Sequence, residues 1–552
     1  MSARRTAARR TTNSSVVPAI PGGSGLSRIR KHGTVVAGLA ALALTVSACG
    51  SDDKDSKSGG ASSSPGGEAK AGGKMTMLAV QDSKTLDVFR TAYVAVADEP
   101  RLAALYDPLF YIDTKTGKVE PHMGESLASA DGGATWTLKL RAGVKFSDGT
   151  PLNAEAVKLN YETHAKQETQ SQHRAAAAMI KTEVVDETTV KITNLMGPNP
   201  NFDRTVATEL TYIEAPSAIN KGIDAAGAEP VGAGPFMLKN WVRGSEQQFV
   251  KNPNYWQKDK GLPKLDELTI KNVPDIKQQY ATIKSGGADI FHSSDGARLA
   301  DAEKELQVQK MADLGGQMIQ FNMTKAPFDD PRARRALALA FDPADIPKTL
   351  QNGYVPAKSY FNPSSPFFDP TQVQEAQNKD EAQRLINELA AEGKKLEFKF
   401  LIPKNPSSQA VAEYMQSRLA QMQNVKMEID SVEIGAYIQK YAIARDYTAM
   451  LFQQWIVDPE PQLFNSFHSA SPLNFIGWKN PEADAALQKG RASTNPDERK
   501  AAYNELQKQI LKDLPVWVYA DSLIGPIYSK KVTGVQQYNT GVVFMDRIGF
   551  KS

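Results

Sequence analysis

Between residues 395 and 460, three short apolar runs are separated by two amphipathic stretches, and that order leaves few folds open. Leu396-Glu397-Phe398-Lys399-Phe400-Leu401 alternates as a half-buried strand does. Pro403 and Pro406 interrupt it, and Ser407 offers a cap for a helix running to about Met422. Lys426-Met427-Glu428-Ile429-Asp430-Ser431-Val432 alternates as a second strand; a helix around 437–444 and a third strand, 448–452, follow. Strand–helix–strand–helix–strand order favours parallel pairing through right-handed crossovers. In such sheets, ligands bind beyond the carboxyl ends of the strands. The residues there are Gln453-Gln454-Trp455-Ile456-Val457-Asp458-Pro459-Glu460-Pro461, which bring an aromatic ring, a carboxylate and two stiff prolines to the expected crevice.

The rest of the body is also mixed α/β. Trp136-Thr137-Leu138-Lys139-Leu140 alternates as a strand and leads into the turn Ser147-Asp148-Gly149-Thr150-Pro151, after which Asn153 caps a helix. Asp330-Pro331, Asn480-Pro481 and Asn495-Pro496 repeat one device, a capping side chain followed by proline at the first helical position. The last opens a helix with Tyr503, Leu506, Ile510 and Leu514 on one apolar face. With 552 residues and 41% hydrophobic content, the chain suffices for two to four domains.

The N-terminus reads as an address. A basic stretch ends at Lys31, and the apolar run 34–44 that follows is shorter than the roughly 20 residues of a bilayer span. Val46-Ser47-Ala48-Cys49-Gly50 then resembles the lipobox of bacterial lipoproteins, in which the cysteine is acylated and becomes the new N-terminus. Residues 1–48 therefore read as a signal peptide, and 49–73 as a lipid anchor with a Gly/Ser-rich flexible tether. This places the protein on the outer face of the bacterial cytoplasmic membrane. Seven of the 65 basic residues and no acid lie in 1–48, so the remainder carries 58 basic against 62 acidic residues, a net of about −4. That balance lacks the excess positive charge of a nucleic-acid binder. A single cysteine excludes an internal disulfide framework and a multi-cysteine zinc site.

Several separated motifs carry a family resemblance across about 75–545. They are Leu138-Lys139-Leu140-Arg141-Ala142-Gly143-Val144-Lys145-Phe146-Ser147-Asp148-Gly149-Thr150-Pro151-Leu152; Pro230-Val231-Gly232-Ala233-Gly234-Pro235-Phe236; Lys251-Asn252-Pro253-Asn254-Tyr255-Trp256; Phe321-Asn322 with Pro327-Phe328-Asp329-Asp330-Pro331; and Gly477-Trp478-Lys479-Asn480-Pro481. In this order the chain resembles the extracytoplasmic solute-binding proteins of ABC transporters, family 5, the oligopeptide/dipeptide/nickel-binding type. The resemblance implies an α/β, two-lobed periplasmic-binding-protein-like fold with an additional domain inserted in the first lobe. Lobe I would comprise 74–105, 228–315 and 520–552, the inserted domain 106–227, and lobe II 316–519. It implies a monomeric receptor, without cofactor or enzymatic activity, that traps a solute by hinge closure and passes it to permease subunits.

In peptide-binding members, the aspartate of a Trp-x-x-Asp motif pairs with the peptide's α-ammonium, while adjacent backbone adds the peptide as a strand. Trp455-Ile456-Val457-Asp458 matches that spacing, which nominates Asp458, Trp455, Ile456 and Gln454 as ligand-binding residues. Gln454 stands where peptide binders often have glycine. Tyr93 is the corresponding choice in the opposite lobe, and Asn474 and Phe475 lie in a segment that often borders the pocket. Asp458 before a proline also reads as a plain helix cap, and Trp455 as core. The same fold could bind a sugar, an opine or a metal chelate, or the protein could sense peptides without transporting them.

Competing chemistries find little footing. The mature body has no Gly-x-Ser-x-Gly elbow and no His-Glu-x-x-His. Six histidines, His292 and His468 among them, show no paired ligand spacing, so no metal site is expected. Arg332–Arg335 reads as a solvated helix face, and Gly232-Ala233-Gly234 before Pro235 as a turn.

Overall fold

The computed structural model describes residues 69–552 apart from 92, 351 and 352; the expected signal peptide and Cys49 lie outside the described residues. Ordered structure is seen already at Ala69–Lys70, which pairs with Lys551 and Phe550, so the expected tether is engaged before Lys74.

The chain enters through β1 (Lys74–Ala79) and then builds a separate four-stranded antiparallel sheet from β2 (Gly124–Ala128), β3 (Thr135–Leu140), β4 (Ile180–Val184) and β5 (Thr189–Asn194), in the order β2-β3-β5-β4. Helices α1 (Ala154–Ala165) and α2 (Phe202–Glu209) belong with it; Leu138, Phe146, Val157, Tyr161, Ile192 and Val206 form its core. Asn153 caps α1 as its sequence suggests, accepting from the Ala156 amide.

The chain then returns to β1. Strands β6 (Phe236–Val242), β7 (Glu246–Lys251), β8 (Glu267–Asn272) and β9 (Ile290–Ser293) flank it, with β8 and β9 parallel to β1. The long strand β10 (Met311–Phe321) leads into the second lobe. There β11 (Leu396–Pro403), α3 (Pro406–Leu419), β12 (Val425–Val432), α4 (Ile434–Ile438) and β13 (Ala449–Gln453) form the expected crossover unit. Both pairings are parallel: Phe400 faces Ile429 on one side and Ala449 on the other. Helices α5 (Pro459–Phe467), α6 (Pro481–Ala492) and α7 (Pro496–Asp513) follow, and β14 (Val516–Tyr528) carries the chain back to the first lobe.

β1 and β6–β14, with two short strands that pair alongside β14 (Gln307–Val308 and Val355–Pro356), make one twelve-stranded sheet, ordered β12-β11-β13-β10-β14-β9-β1-β8-β7-β6 along its main path. Among the described residues, β10 and β14 join its halves. The first part of β14 pairs with β10 (Ile319 against Trp517), the last part with β9 (Ile290 against Tyr528). Alternation along β14 splits the second lobe's core in two: Trp517 and Tyr519 pack with Phe398, Phe400 and Leu451, while Val516 and Val518 pack with Leu463, Tyr503 and Leu506. The apolar face expected of α7 is buried as its spacing requires, and Leu506→Ala there costs about 2–5 kcal/mol.

Two local expectations need correction. Asn405, not Ser407, caps α3: its side chain accepts from the Ser408 amide, and Pro406 takes the first helical position. Arg334 is not on a solvated face. It is buried and donates to the carbonyls of Phe328 (2.8 Å), in the loop ahead of its own helix, and of Asp513 (2.9 Å), at the C-terminal end of α7 where helical carbonyls lack partners. Arg332 and Arg335 stay at the surface, paired with Glu392 and Glu375.

Candidate functional site

The residues after β13 continue along β10 without forming a regular strand. The Gln454 amide donates to the Gly316 carbonyl (3.1 Å) and the Leu314 amide to the Ile456 carbonyl (2.9 Å). Approach here is close enough that glycine is required at 315, since a Cβ there would lie 2.1 Å from the Gln454 carbonyl oxygen.

Extended backbone alternates its side chains, and this stretch divides them by lobe. Gln454, Ile456 and Asp458 turn into the second lobe. Gln454 accepts from the Tyr360 hydroxyl (2.6 Å) and donates to Ser466 (2.9 Å), and Ile456 belongs to the core with Leu463 and Phe464. Trp455 and Val457 turn the other way. Trp455, partly buried, packs against the first-lobe core that contains Met75, Phe89 and Tyr106; Val457 packs against the core of the four-stranded unit. The amides of Trp455 and Val457 have no hydrogen-bond partner among the described residues. The outer edge of 454–458 thus keeps unused backbone groups beside an aromatic ring, which is what strand addition by an extended ligand uses.

Asp458 is the N-cap of α5, its Oδ1 accepting from the Glu460 amide (3.0 Å). It is also an ionic centre. Arg499 of α7 donates Nη1 to Oδ2 (3.1 Å) and Nη2 to Oδ1 (2.5 Å), and Arg204 of α2 brings Nε within 2.9 Å of Oδ2. Burial pushes this carboxyl up, but Arg499 and Arg204 outweigh it and hold it below the ordinary value. Next to it, burial raises Glu460 to about 8 despite Arg491 nearby. Asn201 of the same inserted unit donates its side-chain amide to the carbonyls of Arg491 (2.9 Å) and Ser493 (2.8 Å), so 201–204 and the second lobe share a polar seam.

Tyr93, half-buried, packs against the same first-lobe core as Trp455, which brings these two nominated residues to one cluster. Its hydroxyl donates to the Val88 carbonyl (2.9 Å), and its ring lies 3.9 Å from that of His173. Asn474 and Phe475 sit elsewhere. Asn474 staples its own loop, donating to the Trp478 carbonyl (2.8 Å) and accepting from the Gly477 amide (3.0 Å). Phe475 meets Tyr441 edge-on at 5.5 Å, and Tyr441 in turn lies 6.0 Å from Phe452. Among the described residues no group of three or more His, Cys, Asp or Glu side chains is placed to hold a metal ion, and no helix is long and apolar enough to cross a membrane.

The sequence reading missed Val457, Arg204, Asn201 and Arg499. Period-two alternation from Trp455 points to Val457. Nothing local points to Arg204, which meets Asp458 only through the tertiary fold.

The profile of bacterial extracellular solute-binding proteins, family 5 middle region, matches residues 118–473, more than half of the chain. The glutathione-binding protein GsiB of Salmonella typhimurium is 28% identical over 470 residues, covering 81% of this chain and 88% of that one. The oligopeptide-binding protein AppA of Bacillus subtilis, solved with a nonapeptide, superposes with a TM-score of 0.75 at 22% identity, covering 88% of this chain and 100% of that one. The binding protein AgaA of A. tumefaciens R10, solved with agropinic acid, superposes equally well, with a TM-score of 0.75 at 24% identity over 87% of this chain and 99% of that one.

Proposed function

The chain belongs to the bacterial extracellular solute-binding proteins of family 5, and on that premise we propose that it is the receptor of an ABC importer for short peptides. It captures the peptide between two lobes and delivers it to a membrane permease, acting as a monomer held to the membrane by a lipid on Cys49. The reading assigns 74–105, 228–315 and 520–552 to lobe I, 106–227 to the inserted domain and 316–519 to lobe II. Hinge motion occurs about β10 and β14, and chemistry is left to the transporter's own subunits.

One observation carries the peptide reading: the 454–458 stretch points Trp455 toward the first-lobe core and Val457 toward the core of the four-stranded unit, while their amides find no partner among the described residues. A peptide laid along that edge gains backbone hydrogen bonds that are indifferent to its side chains, with Trp455 and Tyr93 closing over it. Its ammonium end is assigned to Asp458. The GsiB and AppA relatives, which bind glutathione and a nonapeptide, support the same class of ligand.

A second reading rests on Asp458 itself, whose carboxylate already meets two guanidinium groups. A ligand without a cationic end, such as an opine of the kind AgaA holds, would leave that arrangement intact. Isothermal calorimetry with glutathione, di- to pentapeptides, an opine and an oligosaccharide separates the two. Saturable 1:1 heats with peptides support the first reading; heat from the opine or sugar alone overturns it.

A further inference from the structure

Asp458 cannot serve three cations at once. Arg499 comes from the same lobe and is aligned for two hydrogen bonds. Arg204 comes from α2 of the inserted unit, and its contact is of another kind. Its Nε is 2.9 Å from Oδ2, yet the direction of the N–H makes no hydrogen bond, and this buried atom finds no other acceptor among the described residues. Arg204 also has an alternative partner next to it: Nη1 lies 3.3 Å from Oδ1 of Asp203. Of the two guanidiniums on Asp458, Arg204 is therefore the one that can leave.

The charges around the carboxylate lead to the same place. Facing it are Arg499 from α7, Arg204 and Asp203 from α2, and Glu460 from α5, with Arg491 from α6 behind Glu460. Glu460 is held neutral near pH 7 by burial. Three guanidiniums already oppose two carboxylates. An added ammonium would be a fourth cation in a poorly hydrated seam, where like charges repel strongly.

We propose that Arg204 is a specificity-determining residue: it fills the cation seat on Asp458 in the ligand-free protein, and a ligand is captured only if its own cationic end displaces it. This rests on the reading of 454–458 as the ligand edge. The seated form is closed along the Asn201–Ser493 seam and unable to take an amine, so it lowers apparent affinity by the fraction of molecules it occupies.

The test uses the purified full chain and its Arg204→Gln and Arg204→Lys variants. Calorimetry is run with glutathione and with di- to pentapeptides, each alongside its N-acetylated form. Arg204→Gln is expected to tighten binding of free-amine probes by about tenfold while leaving the acetylated probes unchanged, and Arg204→Lys to fall between. Free-amine probes that bind Arg204→Gln no more tightly than the parent overturn the proposal. Small-angle scattering of the ligand-free proteins supplies a readout independent of any ligand. A larger radius of gyration for Arg204→Gln supports the seated contact, and an unchanged one overturns it. If no peptide binds the parent or either variant, the peptide reading falls by itself, and scattering still decides the role of Arg204.

Discussion

The halves of the molecule meet in two ways, and the contrast explains how such a protein can move. At the hinge, β10 and β14 pair backbone to backbone on both sides of an irregularity, with register shifts between Ala312 and Gly316 and between Gln317 and Met318. Backbone pairs survive bending of a few residues and persist in open and closed states alike. At the seam, contact is by side chains: Arg204 on Asp458, and Asn201 on the carbonyls of Arg491 and Ser493. In the proposed capture motion such contacts break when the lobes separate and reform when they close, so that the hinge holds the parts together while the seam biases the closed state.

If that division is right, damage at the two places differs in kind. The largest effect is expected for Asp458→Ala. It removes the cap of α5 and leaves Arg499 buried without its carboxylate, so chemical denaturation should show a loss of about 3–5 kcal/mol. Gly315→Ala comes next. The new Cβ meets the Gln454 carbonyl, pushing 454–458 off β10, and a loss of about 1–3 kcal/mol with weakened ligand binding is expected. Trp455→Ala should do the reverse, costing about 2 kcal/mol of ligand affinity in calorimetry while changing the melting transition less.

The seam also has a pH signature. Glu460 is protonated in the folded state up to about 8, well above the value of an unfolded glutamate. Its folded pKa is raised, so its contribution is fully present below about pH 4 and is lost as pH rises toward 8. Asp458 stays ionised through the upper part of that window and adds no slope there. Urea titrations between pH 5 and 8 should therefore show stability falling with pH, and Glu460→Gln should flatten the slope by roughly 1 kcal/mol per pH unit. An equal slope in the variant would assign the pH dependence to other buried acids, such as Glu99, which burial also raises to about 8.

Much of this architecture is legible in the sequence because it is written locally. Asp330, Asn480 and Asn495 each cap a helix that opens with proline, and each accepts from an amide two or three residues on. The β11–β13 unit follows from two alternating strands, a short apolar run and the helical stretches between them. Errors arose where two local solutions compete or where distance matters. Asn405 and Ser407 both suit a cap, and Pro406 decides between them by fitting the position after Asn405. Arg334 differs from its neighbours Arg332 and Arg335 only in the face it presents, which a charge run does not reveal. The Trp-x-x-Asp spacing singles out 454–458, but a spacing cannot report that Asp458 meets Arg204 and Arg499, which come from remote segments. Asn474 is a loop staple because its amide reaches Trp478 and Gly477, a geometry set by the turn.

The central claim is that a peptide adds to the outer edge of 454–458. Residue-resolved hydrogen exchange at the Trp455 and Val457 amides, with and without a saturating peptide, tests it most directly. Strong slowing at both amides on binding is the predicted result. Unchanged exchange there, in a complex that calorimetry shows to be fully formed, would contradict it.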